Sequence, residues 1–336
     1  MLDADVEVDR RDFTVRAAVR VAAGERVALF GPSGAGKTTL LEVVAGLVRP
    51  RRGRVVLGGR VLTSTSPPVR AVPPWQRRVG LLRQDPGLFP HLSVRDNLSY
   101  ARQAGPKGPE NRAGAELADV AATLGIAGLL PVMPARLSGG QRHRVALGRL
   151  LLAHCDALLL DEPYTGLDAG LRRSLTELVV SLVAARNVPA MLVTHELADA
   201  QAFADRLAVL DRGELLQIGT PDEVVLRPAS RRVAELVGYQ GFVSWGQNGV
   251  AGIHPERTVA GDHGDRGVVL TGSVVTCRPA GAGWEADLRV EGTMITCRLP
   301  DRPAPDGGEL VVTALDPPVF GPDGRPLECG LARGRG

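Results

Sequence analysis

The chain has 336 residues, of which 44% are hydrophobic and 23% charged, and its formal net charge is +3. This length exceeds that of one compact core and predicts two domains, while the small net charge argues against a dedicated nucleic-acid binder. No stretch approaches the roughly 18 consecutive apolar residues of a membrane helix, and the segment after Met1 lacks the pattern of a signal peptide. We therefore expect a cytosolic protein that meets membranes only through its partners.

The first 230 or so residues alternate apolar strand-like runs with amphipathic helix-like segments, which predicts an α/β fold with a parallel sheet. One apolar run, residues 27–30, leads into GPSGAGKT at residues 31–38 and then into a predicted helix over residues 38–47. The octapeptide fits the phosphate-binding pattern G-x-x-x-x-G-K-[ST] in the strand–helix context that the pattern requires. A glycine-rich turn without a ligand is the weaker alternative, because motif and context agree.

Such a loop turns its backbone N–H groups toward phosphate oxygens, and the helix after it adds its positive end. Lys37 is predicted to reach the β- and γ-phosphates of a nucleotide, and the Thr38 hydroxyl to ligate Mg²⁺. The phosphate-binding candidates are Gly31, Pro32, Ser33, Gly34, Ala35, Gly36, Lys37, Thr38 and Thr39.

Three further apolar runs each end in polar residues. The runs are residues 79–82, 157–160 and 190–193, and the polar residues that follow them are Gln84, Asp161, Glu162 and His195. Taken singly, such residues are more often helix caps or surface groups at a strand exit. Because the carboxyl ends of parallel strands meet at one edge of a sheet, however, we expect all four side chains beside the phosphate loop.

The types of these residues suggest separate roles in phosphate chemistry. Asp161 is predicted to hold Mg²⁺ through water, and Glu162 to polarise a water for attack on the γ-phosphate. Gln84 is predicted to sense Mg²⁺ and that water, and His195 to contact the γ-phosphate. The catalytic candidates are thus Glu162, His195 and Gln84, and the metal-site candidates are Thr38, Gln84 and Asp161.

Residues 85–149 have a mostly helical pattern, interrupted by a predicted loop at residues 105–114, which indicates an inserted helical subdomain over about residues 85–150. Near its end, LSGGQ at residues 137–141 precedes a helix that is expected to start near Gln141. Ser138 can cap that helix, but a glycine-flanked helix N-terminus is also an anion site. Since this segment belongs to the insertion and not to the sheet edge, a second subunit would have to supply the anion.

Beyond about residue 232 the pattern changes to alternating and β-branched runs separated by Pro/Gly/Asp turns. The runs at residues 267–277, 284–290 and 293–299 predict a small all-β domain. We expect this domain to comprise residues 233–336, with a disordered tail from Gly330, after a first domain of residues 1–232.

In their order, these motifs resemble those of the nucleotide-binding subunits of ABC transporters, over about residues 6–236. In that resemblance GPSGAGKT is the Walker A loop, residues 137–141 the signature and residues 158–163 the Walker B motif. The single residues that match are Gln84 of the Q-loop, Asp168 of the D-loop and the switch histidine His195.

The resemblance implies a P-loop NTPase domain that uses ATP and Mg²⁺. It also implies a head-to-tail homodimer in which the signature of one subunit closes over the ATP held by the Walker A loop of the other. The residues expected to bind the nucleotide of the partner subunit, or to lie at the dimer seam, are Ser138, Gly139, Gly140, Gln141 and Asp168.

The chain departs from this family pattern at three points. His143 and Gly148 stand where the family usually has Gln and Ala, and we expect them to alter the surface of the helix more than the chemistry. No aromatic residue is an obvious partner for adenine, and Phe13 is the best candidate for stacking on it.

The C-terminal region contains GIHPER at residues 252–257, which is similar to a motif of the small regulatory β domain (TOBE or OB-like) of importer ATPases for oxyanions, iron and sugars. This implies permease subunits in the membrane, a solute-binding protein, and a peripheral location at the cytoplasmic face. Within that group the chain resembles molybdate-importer ATPases most, and residues 88–94 resemble the surface that docks on the permease. Sulfate, ferric iron and sugars remain alternative solutes.

Two other functions are weighed against import. ABC ATPases of DNA repair or chromosome organisation share these motifs but carry a long heptad-bearing insertion before the signature, whereas the segment between Lys37 and Ser138 is short and has Pro/Gly loops. We therefore expect no nucleic-acid partner. Alternatively, the β domain acts as a ligand-gated brake on the ATPase.

Overall fold

The structure is a computed structural model that describes residues 1–11, 13–103, 110–303 and 307–327, with only the backbone described for 101–103 and 110–115. The chain divides into two compact units, residues 1–221 and 222–336. This division lies earlier than the expected boundary at residue 232, because the segment after residue 221 is tied to the second unit. There the Tyr239 hydroxyl donates to Val225 O (2.9 Å), and Arg231 N donates to Gly324 O (2.8 Å).

The first unit is built on a single sheet. Its described strands are β1 (Leu2–Asp9), β2 (Thr14–Val21), β3 (Arg26–Phe30), β4 (Arg52–Leu57), β5 (Arg60–Ser64), β6 (Arg70–Ala71), β7 (Val79–Leu82), β8 (Ala157–Asp161), β9 (Ala190–Thr194), β10 (Arg206–Asp211) and β11 (Glu214–Gly219). Their order across the sheet is β6-β5-β4-β1-β2-β11-β10-β3-β9-β8-β7. The last five strands of this order pair in parallel, and most of the others pair antiparallel.

Helices cover both faces of the parallel half. They are α1 (Lys37–Ala45), α2 (Val94–Gln103), α3 (Glu110–Thr123), α4 (Gly139–Leu152), α5 (Ala169–Arg186) and α6 (Leu197–Phe203). Alternate residues of β8 enter two different cores, because successive side chains of a strand point to opposite faces. Leu159 packs in the core that contains α1, whereas Leu158 and Leu160 pack in the core that contains α4. The predicted α/β P-loop fold with fully buried central strands is confirmed.

The helical segment confirms one expectation and corrects another. Helix α4 begins at Gly139 with Ser138 as its N-cap, close to the predicted start. Part of the loop predicted at residues 105–114 lies outside the described residues, but residues 110–114 already belong to α3, so the loop prediction is wrong there. Glu, Arg and Ala favour helix in this stretch, and a lone Gly114 costs too little to stop it.

The two positions expected to alter the surface of α4 are buried, which corrects that prediction. His143 is 6% exposed, and its Nε2 lies 3.0 Å from Pro163 O. A Cβ at Gly148 would lie 2.8 Å from Leu124 Cδ1 and 2.9 Å from Leu98 Cδ2. Helix α4 packs against α2, α3 and β7, so both residues face neighbours that are distant in sequence.

The second unit is rich in β structure. After α7 (Pro221–Leu226) and α8 (Arg231–Leu236), its described strands are β12 (Phe242–Trp245), β13 (Gly249–Gly252), β14 (Thr258–Ala260), β15 (Gly267–Ala280), β16 (Gly283–Val290), β17 (Thr293–Leu299), β18 (Glu309–Leu315) and β19 (Val319–Phe320). They form sheets of order β12-β13-β19 and β14-β18-β15-β16-β17. Strands β15, β16 and β17 confirm the three predicted β runs, and the predicted disorder from Gly330 falls outside the described residues.

Within the described part of the chain, no helix has both the length and the apolar character needed to cross a membrane.

Candidate functional site

The candidate residues from four separate parts of the sequence follow neighbouring parallel strands. Strands β3, β9, β8 and β7 are consecutive in the sheet, and their carboxyl ends form one edge. The glycine loop follows β3 directly, and His195 follows β9. Asp161 is the last residue of β8 and Glu162 comes next, while Gln84 is exposed and comes two residues after the end of β7.

The backbone angles and the close neighbours of the glycine loop require glycine at two of its positions. Gly31 has φ 151°, and a Cβ there would lie 2.0 Å from Leu210 O. Gly36, just before α1, has φ 99°, and a Cβ there would lie 2.7 Å from Val15 Cγ2. Side chains at these positions would strain the backbone and collide with neighbours, so the loop shape depends on glycine.

Lys37 is enclosed by this loop. It is 5% exposed, and its Nζ donates to Gly31 O at 2.8 Å and to Pro32 O at 2.9 Å. Burial lowers the pKa of Lys37, whereas the nearby charges of Glu162 and Asp161 raise it. The ammonium group is thus desolvated and aimed at the inside of the loop, where phosphate oxygens would be its strongest partners.

A cavity of about 290 Å³ lies against the loop. Among the predicted residues, its lining contains Gly34, Ala35, Gly36, Lys37, Thr38, Thr39 and Phe13. Arg10 also lines it, and its Nε donates to Thr39 Oγ1 at 2.9 Å. Arg10 is not among the predicted residues, because nothing in its local pattern distinguishes it from the many other arginines of the chain.

The two metal-site candidates Thr38 and Asp161 touch directly. The Thr38 hydroxyl donates to Asp161 Oδ1 at 3.1 Å, across 123 positions of sequence. Burial raises the pKa of Asp161, and the hydrogen bond from Thr38 opposes that shift. A hydroxyl beside one carboxylate is the kind of oxygen set with which Mg²⁺ binds when phosphates and water complete its shell, so these residues fit the ion.

Glu162 and His195 form a second pair at the same edge. Glu162 Oε1 lies 2.8 Å from His195 Nδ1, and the Glu162 side chain is 19% exposed. The backbone of Glu162 has φ 51°, a left-handed conformation that is rare for a residue with a side chain. Glu162 N donates to Val193 O at 3.0 Å, which anchors the backbone of Glu162 to β9.

A cavity of about 200 Å³ lies beside this pair, and only part of its polar lining was predicted from the sequence. Its lining includes Tyr164, Arg172 and Asp199 as well as Glu162 and His195. Arg172 Nη1 donates to Asp199 Oδ1 at 3.2 Å, which joins α5 to α6. Arg172 and Asp199 carry no local motif, and only the packing of the two helices brings them to the site.

The signature segment is separate from the cavity beside the glycine loop. Ser138 Oγ accepts a hydrogen bond from Gln141 N (3.2 Å), and Gln141 Oε1 accepts one from Ser138 N (2.9 Å). A Cβ on Gly140 would meet nothing within 4 Å, and neither Gly139 nor Gly140 has a positive φ. The described chain therefore gives no steric reason for glycine at these two positions.

Asp168 lies at the start of α5 as its N-cap. Its Oδ1 accepts a hydrogen bond from Leu171 N at 3.0 Å, and backbone N–H groups lower the pKa of its carboxyl. The side chain is exposed and lines neither of the cavities at the glycine loop and beside Glu162. Within the described chain Asp168 thus has a structural role, which leaves its predicted place at a dimer seam as a prediction.

The comparisons with known proteins agree with this geometry. Residues 16–165 match the model of a family described as ABC transporter. The ferric-iron import ATP-binding protein FbpC of Mesorhizobium japonicum is 41% identical over 219 residues, which are 65% of this chain and 59% of the relative. The molybdenum import ATP-binding protein ModC of Mycobacterium tuberculosis is 44% identical over 225 residues, 65% of this chain and 60% of the relative.

The chain spans less than two thirds of the length of these relatives. Among solved structures, an ATP-binding subunit of an ABC transporter aligns with a TM-score of 0.59 and 26% identity, over 71% of this chain and 95% of that one. A dimeric ATP-binding cassette, MJ0796, bound to ADP and Pi, aligns with a TM-score of 0.57 over 66% of this chain and 99% of that one, and at 23% identity it supports the fold alone. Over residues 16–165, the chain is thus similar to the ATP-binding proteins of ABC transporters.

Proposed function

We propose that this chain binds and hydrolyses ATP and thereby powers the uptake of a small solute as the ATPase subunit of an importer. One observation carries the proposal: the enclosed Lys37, the Thr38–Asp161 contact and the Glu162–His195 pair lie at one edge of one sheet. Such a constellation is suited to phosphoryl transfer, which is catalysed mainly by positioning and by charge stabilisation.

In this proposal the loop N–H groups and the start of α1 hold the phosphates, and Lys37 exchanges its two carbonyl partners for phosphate oxygens. Thr38 and Asp161 hold Mg²⁺, which neutralises charge on the phosphates when bound. Gln84 would approach the same ion from the end of β7, and Phe13 would border the base from the cavity beside the loop.

Glu162 is the proposed acceptor for the proton of the attacking water. Its carboxylate is held by His195, whose other ring nitrogen lies 3.6 Å from Glu196 Oε1. Because His195 is half exposed, it can turn toward a γ-phosphate without leaving a buried cavity behind. Glu162 would then accept the proton of the water as the water attacks the phosphorus.

We further propose a head-to-tail homodimer in which the N-terminus of α4 binds the nucleotide of the partner subunit. The free space beside Gly140 supports this, since a phosphate can approach the backbone closely only where no Cβ intervenes. The cassette MJ0796, which shares the fold at 23% identity, is itself described as a dimer. Asp168 would lie at the seam between the subunits.

The proposed membrane partner is a permease that docks near residues 88–94, at the cytoplasmic face, and that works with a solute-binding protein. A groove of about 450 Å³ supports this proposal, with Phe89 and the half-exposed Tyr100 in its lining. Phe89 is held firmly, because Asn97 Oδ1 accepts from Phe89 N (2.9 Å) and Asn97 Nδ2 donates to Phe89 O (3.1 Å).

For the solute we propose molybdate or a related oxyanion, with ferric iron as the second candidate. The names of the relatives include molybdenum and Fe(3+) ions. The second unit is proposed to be a regulatory domain of the TOBE or OB-like type, and the first an ATP-binding domain with a helical subdomain over about residues 85–150.

Glu162→Gln tests the enzymatic part of the proposal. The variant keeps the size of the side chain and its contact with His195 but removes the proton acceptor, so we expect steady-state ATP hydrolysis to stop while ATP binding persists. Turnover equal to the unsubstituted protein would refute this mechanism.

Uptake assays in cells with and without the chain test the transport part, with molybdate, sulfate, ferric iron and sugars as solutes. Loss of molybdate uptake alone supports the first candidate, and loss of ferric-iron uptake alone supports the second. Calorimetry of the full chain with molybdate checks the regulatory brake, and tight, salt-sensitive binding to duplex DNA would favour the non-transport class instead.

A further inference from the structure

A buried histidine connects the signature helix to the turn that carries the proposed base. His143 lies on α4, five positions after Ser138, and it is 6% exposed. Its Nε2 is 3.0 Å from the carbonyl oxygen of Pro163, the residue that follows Glu162. The contact joins a helix of the insertion to the edge of the sheet.

The chemistry of this contact determines the tautomer of His143. A carbonyl oxygen only accepts hydrogen bonds, so Nε2 must carry the proton and donate it. Burial lowers the pKa of His143, so its ring is neutral at physiological pH. The residue is therefore a fixed donor.

The turn that receives this hydrogen bond is strained and held from several sides. Glu162 has φ 51°, a conformation that persists only where its surroundings impose it. Glu162 N donates to Val193 O (3.0 Å), and Thr165 Oγ1 donates to Glu162 O (3.1 Å). The first of these hydrogen bonds comes from β9 and the second from the turn itself, whereas the hydrogen bond of His143 comes from α4.

We propose that His143 is a positioning residue that holds the Glu162 turn against the signature helix through its hydrogen bond to Pro163 O. This inference rests on the proposed function and deepens it. A shift of α4, when its N-terminus engages the nucleotide of the partner subunit, is passed through His143 to the base that acts on the subunit's own nucleotide. The two nucleotides of a dimer are coupled in this way within each subunit.

A matched pair of variants tests the role of the donor. His143→Gln keeps an N–H donor on a side chain of similar reach, and His143→Leu keeps an apolar body of similar volume without a donor. We expect His143→Leu to lower kcat for ATP about tenfold, with the KM for ATP within about twofold, because it misaligns Glu162 and leaves the phosphate loop intact. His143→Gln should stay within about twofold of the unsubstituted protein in both constants.

If His143→Leu does not fold, His143→Met takes its place, since an unbranched thioether adapts to irregular cores. Unchanged kcat in the apolar variant would overturn the proposal, and so would a His143→Gln variant as slow as His143→Leu. A KM that rises in step with the fall in kcat would also overturn it, because the residue would then act on binding.

Amide hydrogen exchange separates this inference from the proposed function. The Thr165 amide, which donates to Glu162 O, should exchange faster in the apolar variant than in His143→Gln, whether or not the protein hydrolyses ATP. Equal exchange in both variants would overturn the positioning role. An unsubstituted protein without ATPase activity would refute the proposed function while leaving the exchange result as the test of His143.

Discussion

The helix N-termini of α1 and α4 both carry glycines, and they differ in what requires them. At the start of α1, Gly31 and Gly36 have positive φ angles, and a Cβ on either would collide with Leu210 O or Val15. At the start of α4, Gly140 has no positive φ, and the space where its Cβ would lie is open. The glycines of the first N-terminus are required by its own fold, whereas the described residues give no steric reason for Gly140.

The difference extends to charge. The α1 loop already encloses an ammonium group, that of Lys37, next to the carboxylates of Asp161 and Glu162. At the N-terminus of α4, Ser138 Oγ accepts from Gln141 N and Gln141 Oε1 accepts from Ser138 N. This N-terminus holds no ammonium group, and an anion would have to bind there beside the cap. This contrast supports two nucleotide contacts of different kinds, one within the subunit and one between subunits.

The largest expected effect is on nucleotide binding at α1. Lys37→Met keeps the length of the side chain but removes the ammonium group, and we expect the affinity for Mg²⁺–ATP to fall about a hundredfold because charge-assisted hydrogen bonds are lost. Calorimetric titration with Mg²⁺–ATP measures this affinity. The monomeric Gly140→Ala variant is the control and should bind ATP with the affinity of the unsubstituted protein. If the unsubstituted protein and both variants bind ATP equally well, the contrast between the two N-termini is wrong.

The next effect concerns the nucleotide site that α1 of one subunit and α4 of its partner are proposed to form together. Lys37→Met and Gly140→Ala should each reduce steady-state hydrolysis at least about tenfold, for different reasons. When the two variants are mixed in equal amounts, about half of the dimers contain one subunit of each variant. In such a dimer, one of the two proposed nucleotide sites combines the intact α1 N-terminus of one subunit with the intact α4 N-terminus of the other. Activity of the mixture should therefore exceed that of either variant several-fold, which a coupled ATPase assay measures. No gain on mixing, with dimers present, would argue that each subunit works alone.

A third prediction concerns stability. Gly36→Ala places a side chain at φ 99° and 2.7 Å from Val15, so we expect the free energy of unfolding to fall by about 1–3 kcal/mol. Gly140→Ala lies in the first turn of a helix with free space around it, and it should change stability by no more than about 1 kcal/mol, toward greater stability. Urea unfolding of both variants gives the comparison, and equal destabilisation would contradict the different origins of these glycines.

The smallest effect is that of the cap. Ser138→Ala removes the hydroxyl that accepts from Gln141 N and should cost about 1 kcal/mol of stability. Ser138→Thr is the matched control, because it keeps the acceptor oxygen, and it should cost less than half of that. If both variants unfold at the same urea concentration as the unsubstituted protein, the cap makes no measurable contribution to stability. The remaining role of Ser138 would then be to contact the anion.

Much of the site could be predicted because each of its parts has a local pattern. Lys37 and Thr38 come from a contiguous motif, and Asp161, Glu162 and His195 each follow a short apolar run. Because the carboxyl ends of parallel strands lie at one edge of the sheet, these residues can be expected together without knowledge of the tertiary contacts. Arg10 and the Arg172–Asp199 pair could not be found in this way, because each reaches its place through the packing of elements that are far apart in sequence.

The same reason explains the wrong expectation for α4. Helical periodicity indicates which residues of α4 share a face of the helix. Because α4 has several neighbouring elements, the periodicity does not say which of its faces those neighbours cover. The sequence therefore predicts that His143 and Gly148 alter the surface of α4, whereas the structure buries both against partners on other elements.

The sequence by itself determined the class of the fold, the phosphate loop and the order of the polar strand ends, since these follow from periodicity, glycine content and local spacing. Tertiary structure alone decided the left-handed backbone of Glu162, the contact of Thr38 with Asp161 across the sheet, and the hydrogen bond of His143. Each of these depends on atoms from separate elements that meet at a particular distance, and no local pattern contains that information.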